Sequence, residues 1–468
     1  MLKKSKNIPL ISFFFIINIF VPIFSIGPND IKIPQQYISE PAFISMIFKN
    51  PISTKKLYAS PTGSGSSCTE SSPCSLQTAV DNLQKGYTLY LKKGTYDVKS
   101  GISIEASGTS DLYILISSAP NEQAVITSSV TKEVSLFEIG GSYIIIENLT
   151  FQNVEAKNVQ GIVFYGGGQN HVIIRNNIFD SLKTPKIEED YGANGILLMG
   201  ENEVGIKKII IFGNTLTNNI VGYSEALSVA GNCEEIYVLN NILKSNSNIG
   251  IDFYGNAKYC KNEELDQPRK SVAMYNHIEK SISPYADCAG LYIDGARNIY
   301  VAENTITNSQ YGIEIGSEEK NDNYPVQNII LEKNTLNYNT VTGLRIGGFE
   351  QKSTGVVKLC TIKENTITGS HTAVIISKAE DLTFEGNKML ESDKYFINME
   401  FSSTYTKNIE IKNNVFSGNG IFRLYGITKL TLDEFIEKYP SNLKEWDKLS
   451  LNLDIIFIKN IKGHLLIY

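Results

Sequence analysis

From residue 57 onward the chain is a run of short apolar stretches, each closed by Asn or Gly, and two such patterns alternate. The first reads apolar residues, Asn, apolar residues, as in "VIIRNNIF", "IIIFGNTL", "IYVLNNIL", "IYVAENTI" and "IEIKNNVF". Its shared residue falls at Asn177, Asn214, Asn241, Asn276, Asn304, Asn334, Asn365, Asn387 and Asn414. The second reads Gly or Ala, apolar, any residue, apolar, and begins at Gly161, Gly195, Ala226, Gly250, Gly290, Gly312, Gly343 and Ala373. Apolar residues alternate with others inside each run, the period of a strand, and no helical spacing lies between the runs.

Within either series, neighbours are separated by 22 residues (Asn365 to Asn387) to 40 residues (Gly250 to Gly290). That is one coil of short strands plus a loop of variable length. A single coil cannot bury its apolar side, whereas stacked coils share a continuous core. Asn suits a stacked bend because it tolerates the left-handed conformation and can bond to the Asn above and below. Propeller repeats are longer and more regular, and a sandwich has no such Asn series. The pattern predicts an all-β chain, a right-handed parallel β-helix with an N-terminal helical cap. "IIIENLTF" extends the series and places Asn148, in the one N-x-S/T sequon, inside the ladder, buried and unmodified. The cap is expected at "SSPCSLQTAVDNLQKG", where Leu76, Ala79, Val80 and Leu83 share a helical face. At the other end Thr431 and Glu434 have capping-box spacing. The domain organisation expected is a signal peptide at 1–25, an extended lead-in at 26–56, the β-helix at 57–430 and a closing segment at 431–468.

Composition and charge narrow the partners. The net charge of −6 gives no basic face for a nucleic acid, and aromatic residues at 10% supply faces on which sugars stack. "MLKKSK" followed by "IPLISFFFIINIFVPIF" is the layout of a secretory leader, with an apolar run broken by Asn18 and Pro22 and short for a membrane span. A secreted monomer with no membrane association after leader removal is expected. The six cysteines fit an oxidising compartment. Cys68 and Cys74 are close enough in a polar loop to bridge, and Cys260 with Cys288 would staple the long insertion between them. Four histidines form no cluster, and the cysteine spacing does not suit zinc, so no metal is expected.

Aligning the Gly-apolar strands on their first residue gives two outward columns. One reads Val163, Leu197, Ser228, Asp252, Tyr292, Glu314, Arg345, Ile375. The other reads Tyr165, Met199, Ala230, Tyr254, Asp294, Gly316, Gly347, Ser377. The flanks are bland, and the four central coils carry acids and tyrosines. Stacked strands lie about 4.7–4.9 Å apart. Carboxylates on neighbouring coils can therefore approach the separation of about 5–5.5 Å used by retaining glycosidases. Asp294 should face Gly316, whose missing side chain leaves a slot for a sugar between Glu314 and Glu318. Asp252, Tyr254, Tyr292, Glu314 and Arg345 are the expected substrate contacts. Asp266, Arg269 and Lys270, in the insertion, are expected to fold over the groove as a further substrate-binding loop.

"SPCSLQTAVDNL" and "LYLKKGTY" at the front, the Asn coils, and "GIDFYG", "DQPRKSVAMYNHI" and "AGLYIDGARNIYVAENTITNSQYGIEIGSE" in the middle resemble a known group. They resemble secreted right-handed β-helix proteins of the pectin-lyase-like superfamily, over roughly residues 57–440. The middle block is similar to β-helix glycoside hydrolases of the xylosidase-like kind. That resemblance implies Asp294 as nucleophile and Glu318 as general acid/base, with a plant-wall type polysaccharide or oligosaccharide as substrate and no cofactor. Two alternatives stand beside it. A polysaccharide lyase would use Arg345, Arg269 or Lys270, with Ca²⁺ to offset a uronate, although the acidic column repels a polyuronate. A non-catalytic polysaccharide-binding or adhesion protein shares every fold signal. The leader reading has its own test: extracellular protein should lack about the first 25 residues by N-terminal sequencing, and an intact Met1 on it would overturn cleavage.

Overall fold

The computed structural model describes residues 26–350 and 352–438, with three short strands beyond. The expected signal peptide, and most of the closing segment past residue 438, lie outside the described residues. The chain forms two units, Met1–Lys32 and Ile33–Tyr468. In the first, the Gly27 amide closes a turn on Asp30. The second is a parallel β-helix of three long sheets, with fourteen, twelve and thirteen strands in the order the chain visits them. Each coil contributes one strand to each sheet, and successive coils pair in parallel, as Ile173–Ile210 and Ile210–Tyr237 do in the first sheet. Among the described residues no helix is long and apolar enough to cross a membrane.

The apolar member of each alternation points inward, where Phe137 meets Phe151 edge-on at 5.2 Å and Phe151 stacks on Phe179 at 4.9 Å between centroids. Leu76–Asp81 is the N-terminal plug, capped by the Ser75 hydroxyl accepting from the Thr78 amide at 3.1 Å, with Leu76, Ala79, Val80 and Leu83 buried. At the other end Thr431 and Glu434 make the reciprocal capping box, and Phe435 stacks on Phe422 at 3.9 Å. The stretch 33–54, expected to be extended, holds three short helical turns strapped across the outer face of the first sheet. Tyr37 stacks on Tyr300, and the Arg175 guanidinium donates to the carbonyls of Met46, Ile47 and Lys49 while pairing with Glu147.

The Asn series forms the predicted ladder at the bend between the first and second sheets. From Asn177 to Asn414 each side-chain amide donates to the oxygen of the next at 2.9–3.1 Å, without a break. The same oxygen accepts the backbone amide of the Asn in the neighbouring coil, so each residue ties two coils twice. The left-handed residue is the one before each ladder Asn, as at Asn176, Asn240, Glu303 and Lys333. Asn148 therefore sits one place too early. It is left-handed and exposed, and Leu149 fills the ladder place, its amide donating to Asn177. The expectation of a buried sequon is corrected. A second stack that the sequence reading missed joins Asn219 to Asn246, and Ser309 to Asn339, at the next bend.

Cys68 and Cys74 are bridged, whereas Cys260 and Cys288 are separate buried thiols. Cys288 immediately precedes the strand Ala289–Asp294, and Cys260 lies beyond the end of Ile249–Tyr254. Those strands pair in register, which sets the two cysteines past opposite ends of the pair.

Replacing Asn304 by Ala removes both ladder bonds and strands the buried Asn276 amide. At about 1–3 kcal/mol for each group left unsatisfied, a loss of about 3 kcal/mol or more is expected in denaturant unfolding. Asn148→Gly, off the ladder, should stay within about 0.5 kcal/mol, and equal costs would refute the ladder's structural role.

Candidate functional site

The register reproduces the first column and the second as far as Gly316, while Gly347 and Ser377 lie just past the ends of their strands. Ser228, Asp252, Tyr292, Glu314 and Arg345 are successive partners on the third sheet, as are Ala230, Tyr254, Asp294 and Gly316. An outward column of acids would ordinarily be solvated. Here Asp252 and Asp294 are each 2% exposed and Glu314 6%, because long loops leaving the ends of these strands fold back over them. One runs from Gly255 to Pro268 and another from Ser317 to Pro325. They are tied together where Asn256 and Gln267 both donate to the Tyr324 carbonyl.

Asp294 accepts the Glu318 backbone amide at 2.8 Å. That bond places Glu318, exposed on the lip, beside the enclosed Asp294. Burial raises the Asp294 carboxyl well above the usual carboxylate range, and the Glu318 charge adds to it. Asp252 is raised likewise by burial and then by Glu225, Asp294 and Glu318, and one of its oxygens lacks a hydrogen-bond partner. Glu318 is lifted as well, by the partial loss of solvent around its carboxyl at the lip, with Glu319 adding. Glu314 is pushed up to about 8 by burial although Arg345 stands 3.5 Å away. Arg345 also pairs with Glu400 at 3.5 Å and lies over the Tyr311 ring.

Three expectations are corrected. The Gly316 slot is filled, since a side chain built there would meet the Tyr292 hydroxyl at 3.0 Å. Tyr292 leans across from its own coil and takes the space intended for a sugar. Arg269 and Lys270 stand on the first sheet, both paired with Glu234, and do not reach the groove. Asp266 is 2% exposed and accepts the Lys258 and Cys260 amides, which makes it the internal pin of its loop. The loop does cover the acids, but with Tyr259, which packs edge-on against Tyr254 at 5.8 Å and feels Glu225, Asp252 and Asp294.

The structure adds Glu225 and Tyr259 to the site. Glu225 lies one residue ahead of the Ala226 repeat start, outside both columns. Burial pushes it to about 7, the Ser228 hydroxyl opposes the rise, and the Glu318 charge adds to it. Its only sequence signal was an acid where the other coils start with a neutral residue. Five carboxyls on four successive coils thus share one screened volume, with Tyr254, Tyr259 and Tyr292 as walls. Like charges this close cannot all ionise at neutral pH, so the cluster holds protons where an isolated carboxyl would not. Such a group can give a proton to an oxygen and keep a carboxylate beside it.

The molecule is a right-handed parallel β-helix. The model for a "Pel9A-like, right handed beta helix region" matches residues 57–224, and that for a "Right handed beta helix region" matches residues 289–429. The chain is 27% identical over 315 residues to the uncharacterized protein YwoF of Bacillus subtilis, covering 64% of this chain and 65% of that one. It therefore spans just under two thirds of that relative's length. Among solved structures it is similar to the catalytic domain of an α-1,3-glucanase of glycoside hydrolase family 87 in complex with tetrasaccharides. That likeness has a TM-score of 0.55 at 12% identity, over 89% of this chain and 70% of the other. It is also similar to a mannuronic acid specific family 6 polysaccharide lyase from human gut microbiota. There the TM-score is 0.51 at 14% identity, over 80% of this chain and 83% of the other. At these identities the likeness is one of fold.

Acids raised by burial bind protons more tightly folded than unfolded. Glu225 and Glu314 move from 4.5 to about 7 and about 8. Between those values the folded chain holds the extra protons, so stability is complete below the unfolded value and is lost as pH rises toward the folded ones. The melting temperature should therefore fall from about pH 5 to about pH 8, and Glu225→Gln should shrink the part of the fall below about pH 7. An unchanged profile in that variant would remove Glu225 from the buried set.

Proposed function

We propose that the protein is a secreted carbohydrate-active enzyme, a glycoside hydrolase that cleaves a neutral polysaccharide or oligosaccharide with Asp294 and Glu318. The observation that carries this reading is the Asp294–Glu318 pair, joined through the Glu318 amide, at the opening of a screened carboxyl cluster. The likeness to a β-helix glucanase catalytic domain accords with it. The leader-like residues 1–25 support action outside the cell.

The two acids differ in the way the reaction requires. Asp294 is enclosed, and burial raises its carboxyl well above the usual carboxylate range, which favours its protonated form, whereas Glu318 stands exposed on the lip. Asp294 then protonates the glycosidic oxygen as its bond to the anomeric carbon breaks. Glu318 meets the other face of that carbon, directly or by taking a proton from water. This is the reverse of the roles implied by the family resemblance, and it follows from burial. Tyr254 and Tyr259 offer ring faces for the sugar.

A lyase needs a base near the uronate. Arg345 is held by Glu314 and Glu400, and Arg269 and Lys270 are on another sheet. The hydrolase reading is the stronger one.

Asp294→Asn and Glu318→Gln are near-isosteric, and each should lower turnover by about 10²–10⁴-fold while leaving the melting temperature close to that of the parent. Full activity in both would move the chemistry elsewhere. Wild-type enzyme should release reducing ends from neutral xylan- or glucan-type oligosaccharides, in EDTA as well as without it. Ultraviolet absorbance growing on polygalacturonate or alginate would overturn the hydrolase in favour of a lyase, and inertness on every glycan would favour a binding protein.

A further inference from the structure

The third sheet carries a second concavity, away from the acid cluster. A cleft of about 480 Å³ opens over the strands Ile102–Ile104, Glu133–Ile139 and Asn158–Gly166, at the N-terminal end of the same outward face. Its lining is mainly hydroxyl, amide and carboxylate groups, with the apolar Ile102 and Val134 and one aromatic ring, and Ser103, Glu133, Ser135, Glu138, Gln160 and Tyr165 are the side chains that matter. No Lys or Arg lines it. Tyr165 bonds through its hydroxyl to Ser135, and the Ser135 hydroxyl donates to the Gln160 side chain at 3.1 Å, so ring and amide are held in one array.

The cleft and the acid cluster share a register. Glu138, Val163, Leu197, Ser228 and Asp252 are successive partners, as are Tyr165, Met199, Ala230, Tyr254 and Asp294. Four coil steps separate Glu138 from Asp252, about 19 Å at the spacing of stacked strands. Between them lie Val163, Leu197, Ser228 and Ala230, all buried, and half-buried Met199, so a chain spanning both sites passes over a stretch that carries no charge.

We infer that this cleft is a distal binding site for a neutral glycan chain, and that the ligand is a polymer reaching from the Tyr165 coil to the Asp294 coil. The inference rests on the hydrolase reading for what happens at the far end, but the binding stands on its own. Tyr165 stacks a ring, and Gln160, Ser135 and Ser103 bond its hydroxyls. Glu133 and Glu138 accept from hydroxyls and repel uronates, so the class is a neutral hydroxyl-rich chain. A pyranose in an extended chain advances by roughly one coil spacing, so chains longer than a tetrasaccharide are needed to span both sites.

The test is binding, measured by calorimetry on full-length protein with xylo- and gluco-oligosaccharides from disaccharide to decasaccharide. Wild-type affinity should step up at least tenfold once the chain exceeds the tetrasaccharide. Ser103→Trp fills the cleft from an exposed position with little risk to folding and should abolish the step. Tyr165→Ala should do the same by removing the ring. Long-chain affinity unchanged in a folded Ser103→Trp protein, or no dependence on length, overturns the distal site while leaving the hydrolase intact. A wild-type protein that hydrolyses nothing but shows length-dependent binding sensitive to Ser103→Trp overturns the hydrolase and keeps the site. Equal or tighter binding of oligogalacturonate would refute the neutral-chain assignment.

Discussion

The vertical hydrogen bond between identical bends is the constraint from which the rest follows. A parallel sheet fixes the distance between coils but tolerates slippage along the strand, and a slip of one residue exchanges the two faces. The buried ladder from Asn177 to Asn414 forbids that slip, because each amide has its partners in only one register. With the register locked at the bend, residues far along the third sheet are brought opposite one another. Asp252, Tyr292 and Glu314 are neighbours because Asn241, Asn276 and Asn304 are.

On that fixed grid the loops supply what the strands cannot. A sheet face open to water would leave its acids with ordinary proton affinities. The tied loops over the central coils exclude solvent and turn a row of surface carboxylates into a group that must share protons. Arg345 offsets part of this charge at one end, between Glu314 and Glu400, and its attachment there leaves the opposite end, at Glu225 and Asp252, uncompensated. The polarity of the cluster is thus set by one cation.

Most of the architecture was legible in the sequence because it repeats. The ladder from Asn177 onward, the plug at Leu76–Asp81, and the strand positions of both outward columns follow from period and alternation, and the register reproduces them. What was not legible lies in the irregular parts. The insertion after Tyr254 has no period, so its acid and bases were placed over the groove when Asp266 pins its own loop and Arg269 begins the next strand of the first sheet. Tyr259, which does reach the acids, looked like any loop tyrosine. Glu225 fell outside the alignment by one residue. The filling of the Gly316 gap by Tyr292 is a rotamer choice, and alternation gives the face of a side chain but not its lean. Asn148 misled because the bend holds two consecutive special positions, and a lone Asn does not say which of them it occupies.

The strap at residues 33–54 imposes an order of events on the chain. Its contacts are with Arg175, Tyr237 and Tyr300, on coils that are synthesised long after it. A coil-by-coil solenoid can otherwise consolidate as it emerges, each turn templating the next. Here the earliest segment must wait, unattached, until the middle of the protein exists, and then close over its flank like a clasp. Docking of residues 33–54 is therefore a late step in the assembly of the coils that carry the carboxyl cluster, with Tyr37 closing on Tyr300.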